Sequence, residues 1–373
     1  MKIAVHIARV LVGSLFIFSG LVKAIDPLGL GYKMQEFFEV WASDGYLPGF
    51  MNYLHTQSLW FSIMMIVLEI VLGVALLIGW KKNFILTFLL LLTLFFTFLT
   101  GYVLFTGKIR ACGCFGDCIP LTPMQTFVKD IALTILIIFL IIYRKNIQPV
   151  VKGFFGSIII LLTVTGATVL QLYVLKHLPL KDCLPYKKGN NLLELRKMPA
   201  DAIPDKYDYS FVYEKDGIKK DFTTDNLPDS SWKFSERKQI LISKGKNNTP
   251  AINDFSLTDS TGANITDEVL GQTGEYYLFF LQNLDDGVSR WSAAFSDFFQ
   301  KAKQQNRPVY IITSDKDRAN AFFNVRNAYN LPVLTTDVTA IKTAARANPT
   351  LFSMKGAVVQ EKYSWADIAK AIK

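Results

Sequence analysis

Residues 60–78 read WFSIMMIVLEIVLGVALLI, an apolar run interrupted by a single charge, that of Glu69. A helix of about 20 such residues crosses the ~30 Å hydrocarbon core of a bilayer, at ~1.5 Å per residue. Four further runs of this kind lie at Ile3–Ile25, Phe84–Phe105, Phe127–Tyr143 and Phe154–Leu175. The sequence therefore predicts an integral membrane protein, with an α-helical bundle of about five transmembrane helices in residues 1–176 that contacts the lipid bilayer.

The charge of the chain is concentrated around these runs. Residues 1–176 carry 13 Lys and Arg against 7 Asp and Glu, whereas residues 177–373 carry 27 against 24. Such an excess is typical of the short cytoplasmic loops of membrane proteins. No basic run interleaved with aromatic residues occurs, which argues against nucleic-acid binding.

The basic residues of the short loops predict the orientation. A cytoplasmic N-terminus places more of them inside than outside, namely Lys2, Arg9, Lys81, Lys82, Arg144, Lys145 and Lys152. Five spans then put the loop 106–126 and everything after residue 176 on the extracytoplasmic side. We expect a bacterial inner-membrane protein with a cytoplasmic N-terminus and a periplasmic C-terminal domain.

All cysteines of the chain lie beside the membrane helices, at Cys112, Cys114, Cys118 and Cys183. A thiolate at a membrane surface can exchange with disulfides and pass electrons to a lipid-soluble quinone. A Cys-Gly-Cys bridge closes a small, strained ring, which favours an oxidising or labile pair. We predict Cys112 or Cys114 as the attacked sulfur and Cys118 or Cys183 as the resolving thiol.

Two other interpretations of the cysteines stay open. The first is a static disulfide that fixes a loop, with Cys118 joined to Cys183. The second is a metal site, which we disfavour because the three cysteines of the loop lack a nearby histidine and because extracytoplasmic thiols usually oxidise instead. For redox chemistry, the nearby Lys108 and Arg110 would stabilise a thiolate.

A second candidate site is the charge inside the second apolar run. An ionised Glu69 near the middle of a bilayer is costly, so it should face the bundle and be paired, with Lys23 as the candidate partner. Proton handling beside a quinone needs such a group, and so does a structural ion pair. We therefore assign Lys23 and Glu69 as candidate cofactor-binding residues. The pair Lys129–Asp130, near a helix end, is instead expected to be solvated.

The part after residue 176 divides into two regions. Residues 177–246 contain prolines and short alternating runs, such as Tyr207–Glu214 and Ile218–Thr223, and predict a β-rich connector. From residue 247 onward, strands alternate with helices, as in an α/β domain. The predicted strands are Tyr276–Leu281, Val309–Thr313, Pro332–Thr335 and a hairpin around Lys355-Gly356. The predicted helices are Arg290–Lys303, Arg318–Tyr329, Thr339–Arg346 and Trp365–Ile372.

Several strings of the first 145 residues resemble known families. Phe18–Lys23 and Glu69–Gly73 are similar to the DoxX family of small membrane proteins, and Cys112–Gly116 followed by a helix resembles MauE. That resemblance implies work with a thioredoxin-like partner in disulfide formation. His177–Asp182 and Arg346–Pro349 resemble fused DoxX proteins of Bacteroidetes-type bacteria.

The region from Asn253 resembles the thioredoxin-like domain of TlpA-type proteins. Ile252–Asp259 matches their first strand, and Asn348-Pro349 stands where that fold keeps a cis-proline. The chain departs from the family after Tyr276–Leu281, because Asn283–Ser289 replaces the Cys-x-x-Cys motif. We therefore expect a redox-inactive domain that acts as a docking module for an envelope protein partner. Within this domain, Asn348-Pro349 should face the segment Asp285–Ser289.

These observations predict an inner-membrane, redox-associated protein that supports extracytoplasmic thiol–disulfide chemistry through its Cys-Gly-Cys loop. The alternative is a non-enzymatic scaffold or subunit of an envelope complex, whose cysteines are merely bridged and whose residues 177–373 bind the partner.

Overall fold

The computed structural model describes residues 1–109, 113, 116–151, 153–243, 245–285 and 287–372. Cys112 and Cys114 lie outside the described residues, as do Arg110 and Asp286. The membrane part consists of helices α1 (Lys2–Ala24), α2 (Pro27–Ser43), α3 (Pro48–Thr56), α4 (Ser58–Ile78), α5 (Lys82–Thr106), α6 (Pro123–Ile142) and α7 (Phe154–His177).

Five of these helices, α1, α4, α5, α6 and α7, are long and apolar enough to cross a membrane. Their bounds differ from the predicted runs by a few residues, so the five-span prediction is confirmed. α6 begins with a capping box, in which Thr122 and Gln125 exchange hydrogen bonds between side chain and backbone. The two shorter helices, α2 and α3, fill the segment between α1 and α4, and α2 buries Phe37 and Phe38 against the bundle.

The tightest helix pair of the bundle is α1 against α4. A Cβ placed on Gly73 would lie 2.8 Å from the carbonyl oxygen of Gly13, closer than real Cβ atoms approach. Small residues at such crossings allow transmembrane backbones to touch. This close approach brings the side chains that follow Gly13 on α1 next to those that precede Gly73 on α4.

A three-stranded antiparallel sheet follows the bundle. It contains β1 (Lys206–Lys215), β2 (Ile218–Thr223) and β3 (Lys233–Ser243) in the order β2-β1-β3, after a short helix α8 (Leu192–Leu195). This segment is thus rich in β-structure. β3 is a strand that the sequence analysis did not identify, and all of its residues are exposed.

The C-terminal region is an α/β domain with one five-stranded sheet. Its elements are α9 (Thr266–Gly271), β4 (Glu275–Leu281), α10 (Val288–Gln304), β5 (Val309–Thr313), α11 (Lys316–Asn320), β6 (Val333–Thr335), α12 (Val338–Ala344), β7 (Thr350–Lys355) and β8 (Val358–Ser364). The strand order is β6-β5-β4-β7-β8; β4, β5 and β6 are parallel, and β7 and β8 are antiparallel to their neighbours. This is the thioredoxin-like arrangement expected from the resemblance, and the Asn348-Pro349 bond is cis.

The central strand β4 explains why the domain has a core on both faces of its sheet. Tyr276, Leu278 and Phe280 point to one face, and Tyr277, Phe279 and Leu281 point to the other. Helix α12 covers the first face, whereas α10 covers the second with Trp291, Phe295 and Phe298. A strand that is buried on both sides reads as a continuous apolar run, as this one does.

Two predicted helices of this domain are shorter than expected. The helix Arg318–Tyr329 is replaced by α11 and a π-helical turn, Ala321–Arg326. It ends early because the amide of Asn324 exchanges two hydrogen bonds with the backbone of Leu331, which ties the next loop back. The closing helix Trp365–Ile372 is a 3-10 turn, Ile368–Ile372.

Candidate functional site

The loop between α5 and α6 is fastened to the chain that follows α7. Cys118 and Cys183 form a disulfide with a Cα–Cα distance of 4.9 Å. Of the four predicted site cysteines, the structure thus brings these two together, whereas Cys112 and Cys114 lie outside the described residues. The alternative of a static bridge between Cys118 and Cys183 matches the observed pairing.

The described glycines of the loop locate it above the bundle. A Cβ placed on Gly113, between Cys112 and Cys114 in sequence, would lie 3.3 Å from Cγ of Lys33 on α2. A Cβ on Gly116 would lie 3.7 Å from the carbonyl oxygen of Val22 on α1. Both glycines have positive φ, 71° and 59°, a conformation that L side chains rarely adopt. Gly113 therefore lies beside α2, and Gly116 lies beside the C-terminal end of α1.

Two ion pairs flank the disulfide and connect it to the thioredoxin-like domain. Asp117, directly before Cys118, lies 2.7 Å from Nη2 of Arg346. Asp182, directly before Cys183, lies 2.7 Å from Nζ of Lys362 on β8. Both cationic side chains are less than a tenth exposed. We call the bridge and its two ion pairs the interdomain clamp.

Arg346 holds three segments of the chain together. Its Nε donates to Asp26 at the junction of α1 and α2 over 2.9 Å, and its Nη1 donates to the carbonyl of Lys342 over 2.6 Å. The ring of Tyr32 lies 5.4 Å from the guanidinium. Burial alone would lower the pKa of Arg346, but Asp26 and Asp117 outweigh it and raise that pKa. The residue is therefore a fixed positive charge.

Lys362 occupies a related but less charged position. It also donates to the carbonyl of Ala344 over 3.0 Å. Burial lowers the pKa of Lys362, and the attraction of Asp182 only partly compensates. A point charge with one carboxylate partner is thus less well stabilised than the guanidinium between two.

The edge of the thioredoxin-like domain that faces the bundle is the one where that fold carries its reactive residues. The backbone N–H of Gln282, after β4, donates to Asn348 over 2.9 Å, and Asn348 donates to the carbonyl of Asn283 over 3.0 Å. The hydroxyl of Tyr32 on α2 donates to Oε1 of Gln282 over 3.2 Å. The residues directly after β4, Gln282 and Asn283, are thus adjacent to the cis-proline loop, and the membrane part contacts the first of them. These hydrogen bonds do not include the predicted segment Asp285–Ser289.

A cleft of about 190 Å³ remains between α2 and α12 at this junction. Lys33, Asp117, Leu184, Lys342 and Arg346 are among its lining residues. It contains both signs of charge and reaches the loop at Asp117.

The predicted intramembrane pair is present. Nζ of Lys23 lies 2.5 Å from Oε2 of Glu69, and both side chains are at most 5 % exposed. Lys23 also lies 4.8 Å from the centroid of the Phe96 ring. The two residues thus pair and face the bundle, as expected.

The prediction of a solvated Lys129–Asp130 pair is wrong for Asp130. Its carboxylate lies 2.7 Å from Nζ of Lys129 and accepts a 3.1 Å hydrogen bond from Thr100 on α5, and its side chain is 2 % exposed. Asp130 is buried because α5 packs along α6 at the level of Thr100, although it lies only two turns from the start of its helix. No sequence signal indicated this contact.

The structure also reveals site residues that the sequence analysis missed. Arg346, Asp117, Asp182 and Lys362 were not assigned a role. The available signals were an aspartate before each of two cysteines and an arginine close to Asn348-Pro349. Among the residues that the structure describes, no group of three or more His, Cys, Asp or Glu side chains is arranged to hold a metal ion.

Comparison with known proteins gives separate matches for the membrane part and for the three-stranded sheet. Residues 1–143 match the family model described as methylamine utilisation protein MauE, and residues 207–244 match one described as a domain of unknown function (DUF8463). The chain is 28% identical over 186 residues to Protein TlpB of Flavobacterium psychrophilum, which is 49% of this chain and 45% of that protein. The chain thus spans less than half the length of this relative.

The solved structures include the crystal structure of Peroxidoxin BcpB from Mycobacterium tuberculosis. It is 21% identical, and the likeness covers 32% of this chain and 90% of that one with a TM-score of 0.26. A TM-score this low carries no argument, so the fold assignment depends on the strand order and directions. That arrangement, together with the matches to the MauE family model and to Protein TlpB, shows that the chain is a MauE-like membrane protein fused to a thioredoxin-like domain.

Proposed function

We propose that this redox-associated membrane protein supports thiol–disulfide chemistry on the extracytoplasmic side, and that Cys112 and Cys114 are its reacting pair. The observation that carries the proposal is the interdomain clamp. It attaches the cysteine loop to the edge of the thioredoxin-like domain where reactive residues of that fold lie. A loop held there is presented to a protein client without depending on cysteines in the domain itself.

The chemistry is an exchange of one disulfide for another. A client thiolate attacks one sulfur of the Cys112–Cys114 disulfide, and the second client thiolate then displaces that sulfur. The client leaves with a new S–S bond, while Cys112 and Cys114 leave the cycle as two thiols. An electron acceptor must then remove two electrons and two protons from these thiols. The class of acceptor that we propose is a lipid-soluble quinone.

The surroundings of the loop support a stabilised thiolate at this position. Lys33 lies beside Gly113 and forms a 3.1 Å ion pair with Glu36. Lys108 is engaged by Asp44 at 2.5 Å on the exposed surface. Both lysines have carboxylate partners, so this does not distinguish them. We assign the larger share of the thiolate's stabilisation to Lys33, because it lies beside Gly113, the residue between Cys112 and Cys114.

The clamp gives Cys118 and Cys183 a different role from the other two cysteines. Their bridge joins the loop to residues 181–184, which precede the thioredoxin-like domain. We propose that this bridge positions the loop, whereas Cys112 and Cys114 exchange. The thioredoxin-like domain acts as the platform against which the loop and the client are aligned.

We place this site in the periplasm of a bacterial inner membrane, with the N-terminus in the cytoplasm. The ion pair between Asp117 and Arg346 requires that the cysteine loop and the C-terminal domain lie on one side of the membrane. The Cys118–Cys183 disulfide suits an oxidising compartment. The distribution of Lys and Arg in the short loops gives the same orientation.

Thiol trapping in intact cells tests the proposal. In the wild-type protein, Cys112 and Cys114 should alternate between reduced and oxidised forms as the supply of electron acceptor changes. Cys112→Ser and Cys114→Ser should leave the protein folded and abundant while client disulfides fail to form. The matched comparison is the double variant Cys118→Ser and Cys183→Ser, which should be less stable and should exchange more slowly, because its loop is less firmly positioned, but should not lose the exchange. Full activity without Cys112 and Cys114 would exclude the proposal.

A non-enzymatic scaffold is the second candidate, and the connector sheet favours it. Strand β3 is an edge strand, and Ile240, Leu241 and Ile242 on it are each about half exposed or more. Such an edge can pair with a strand of an envelope protein. If Cys112 and Cys114 stay permanently oxidised while disruption of β3 releases a bound envelope partner, the scaffold function is favoured.

A further inference from the structure

The membrane bundle contains a polar cavity that the proposed exchange of disulfides does not use. It lies between α1, α4, α5 and α6, below the cysteine loop. Its polar lining residues are Ser19, Lys23, Glu69, Thr93, Lys129 and Asp130, and apolar side chains of α1, α5 and α6 complete it. Four ionisable groups thus meet in one place inside the bundle.

The charges of the cavity balance in pairs. Lys23 pairs with Glu69 at 2.5 Å, and Lys129 pairs with Asp130 at 2.7 Å. Ionised groups inside a bilayer are costly, and they commonly mark paths for protons, ions or ligands. One ion pair would be enough to neutralise Glu69. A second pair that lines the same cavity indicates a site that handles charge.

The cavity has room for one small group. About 20 Å³ is open to the centre of a water molecule, and a single water needs roughly 10–15 Å³ on that measure. The space therefore accepts a water molecule or one carbonyl oxygen, and it excludes an aromatic or quinonoid ring. A ring could bring an oxygen to this space only from outside the bundle.

The lining shows where such a ring would lie. Leu15 on α1 is 37 % exposed and the side chain of Lys129 on α6 is 22 % exposed, whereas Lys23, Glu69 and Asp130 are nearly inaccessible. The mouth of the cavity is thus between α1 and α6, on a surface that faces lipid in a bilayer. A flat apolar molecule dissolved in the membrane can reach this mouth from the side.

The cavity also lies close to the cysteine loop. Gly116 of the loop approaches the carbonyl oxygen of Val22, the residue before Lys23. Asp130 belongs to the helix that begins directly after the loop, and Thr100, which donates to Asp130, belongs to the helix that ends directly before it. The loop and the cavity therefore share their supporting helices.

We infer that the mouth between α1 and α6 is the quinone-reduction site, in which one carbonyl oxygen of a lipid-dissolved quinone enters the cavity beside Lys23 and Lys129. The inference rests on the proposed function, because the Cys112 and Cys114 thiols are the electron source. Two S–H bonds break and one S–S bond forms. The two electrons and two protons appear on the quinone as two O–H bonds. The two ammonium groups stabilise negative charge that develops on the entering oxygen, and Glu69 and Asp130 take part in proton transfer.

A single-turnover reaction of the reduced full-length protein tests this site. The probes are a short-chain benzoquinone and a short-chain naphthoquinone, and alkylation followed by mass spectrometry counts the free thiols. In the wild type, one hydroquinone should form for each pair of thiols lost. Glu69→Gln and Asp130→Asn should slow this reaction roughly tenfold or more, as removal of a proton-transfer group does. Their exchange with a small aromatic disulfide in water should remain at the wild-type rate.

A second pair of variants probes the mouth without changing a charge. Leu15→Trp should fill the mouth and raise the quinone concentration for half-maximal rate several-fold. Leu11→Trp is the matched control, since Leu11 lies one turn away on the same helix, is 49 % exposed and does not line the cavity. Equal effects of the two tryptophans, or wild-type quinone rates in Glu69→Gln and Asp130→Asn, would overturn the inference.

The same experiment separates this inference from the proposed function. Loop thiols that react with the aromatic disulfide but not with either quinone would overturn the quinone site and leave the exchange function standing. Loop thiols that react with neither reagent would remove both. A rate of quinone reduction that does not change with Leu15→Trp would place the acceptor elsewhere in the bundle.

Discussion

Two buried cations, Lys23 in the bundle and Arg346 at the domain junction, are stabilised by different surroundings. Lys23 has one carboxylate partner, Glu69, and an aromatic ring. Arg346 has two carboxylates, a backbone carbonyl and an aromatic ring. A guanidinium offers several donors in a fixed plane, so it can join three segments, whereas an ammonium is a point charge. Arg346 lines a cleft of about 190 Å³ between α2 and α12, whereas Lys23 lines a much smaller cavity, which has room for one oxygen.

This difference indicates that the two clusters serve different purposes. The partners of Arg346 come from the helix junction at Asp26, from the cysteine loop and from helix α12, which ends two residues before it, so the residue sets the relative position of two domains. Among the described residues, the carboxylate partners of Lys23 and Lys129 belong to the bundle, and the two lysines line the same cavity. We therefore expect substitution of Arg346 to affect docking and substitution in the cavity to affect a reaction.

Arg346→Met should have the largest effect on the arrangement of the domains. It leaves Asp26 and Asp117 without their cationic partner, and loss of one member of a buried ion pair costs about 3–5 kcal/mol. Hydrogen exchange at Gly116–Cys118 and at α12 should increase strongly. Arg318→Met, at an exposed ion pair with Asp285, is the matched control and should leave both segments protected. Unchanged protection in Arg346→Met would contradict the assigned role of this arginine.

Removal of the bridge should have the next largest effect. Cys118→Ser together with Cys183→Ser should destabilise the docked arrangement by about 2–4 kcal/mol, the range for a disulfide that closes a loop of this kind. The measurement is the midpoint of thermal unfolding of the C-terminal domain in the full chain. If Arg346→Met and the double serine variant have additive effects, the ion pairs and the bridge stabilise the junction independently. A combined effect smaller than the sum would show that they act as one clamp, because the loss of either part already releases the junction.

The pair in the bundle should respond differently to single and double substitution. Glu69→Leu leaves the Lys23 ammonium alone in the membrane and should cost roughly 2.5 kcal/mol. Lys23→Met should cost a similar amount, whereas the combination of both should recover most of the loss because no charge remains. Unfolding in detergent by a denaturant series measures the three values. A double variant that is as unstable as the sum of the singles would refute the pairing.

The smallest effect should be a pH dependence at the junction of α7 and the C-terminus. Asp367 accepts from His177 at 2.8 Å and from Ser364 at 3.0 Å. Burial on its own would raise the pKa of Asp367, but hydrogen bonds from Lys370, His177 and Ser364 outweigh it and lower that pKa. The contribution of Asp367 to stability is therefore complete above its unfolded pKa of 3.8 and is lost as the pH falls below that value.

Hydrogen exchange at residues 364–372 between pH 3 and pH 6 should detect this loss. Asp367→Asn should remove the dependence and should make exchange at neutral pH resemble that of the wild type at low pH. A wild-type protein whose exchange follows only the intrinsic pH dependence of amide hydrogens would contradict the assigned role of Asp367.

The sequence allowed the spans, the strand alternation and the Lys23–Glu69 pair to be predicted because each follows from a local rule. A long apolar run crosses a bilayer, a doubly buried strand is continuously apolar, and an intramembrane charge requires a partner. The ion pair between Asp117 and Arg346 joins residues far apart in the chain and depends on how two domains dock. No local pattern gives that information.

Two further differences between prediction and structure also have physical reasons. Asp130 looks solvated because it lies close to the start of its helix, but α5 covers it through Thr100. Strand β3 contains Glu236, Arg237 and Lys238, which break the alternation by which strands are recognised. It forms because β1 offers a partner along most of its length. The burial of Asp130 and the formation of β3 both depend on residues that are distant in the sequence.

The Cys118–Cys183 bridge also determines the order in which the protein matures. The two cysteines are 65 residues apart in the sequence, and their bridge closes a covalent ring that contains α6 and α7. These two consecutive candidate spans would cross the membrane in opposite directions. The ring cannot close until α7 has been inserted and residue 183 has emerged on the far side, so the attachment of the loop is a late step of biogenesis. A nick in the short turn between α6 and α7 would then leave the two pieces covalently joined, and they would separate only after reduction.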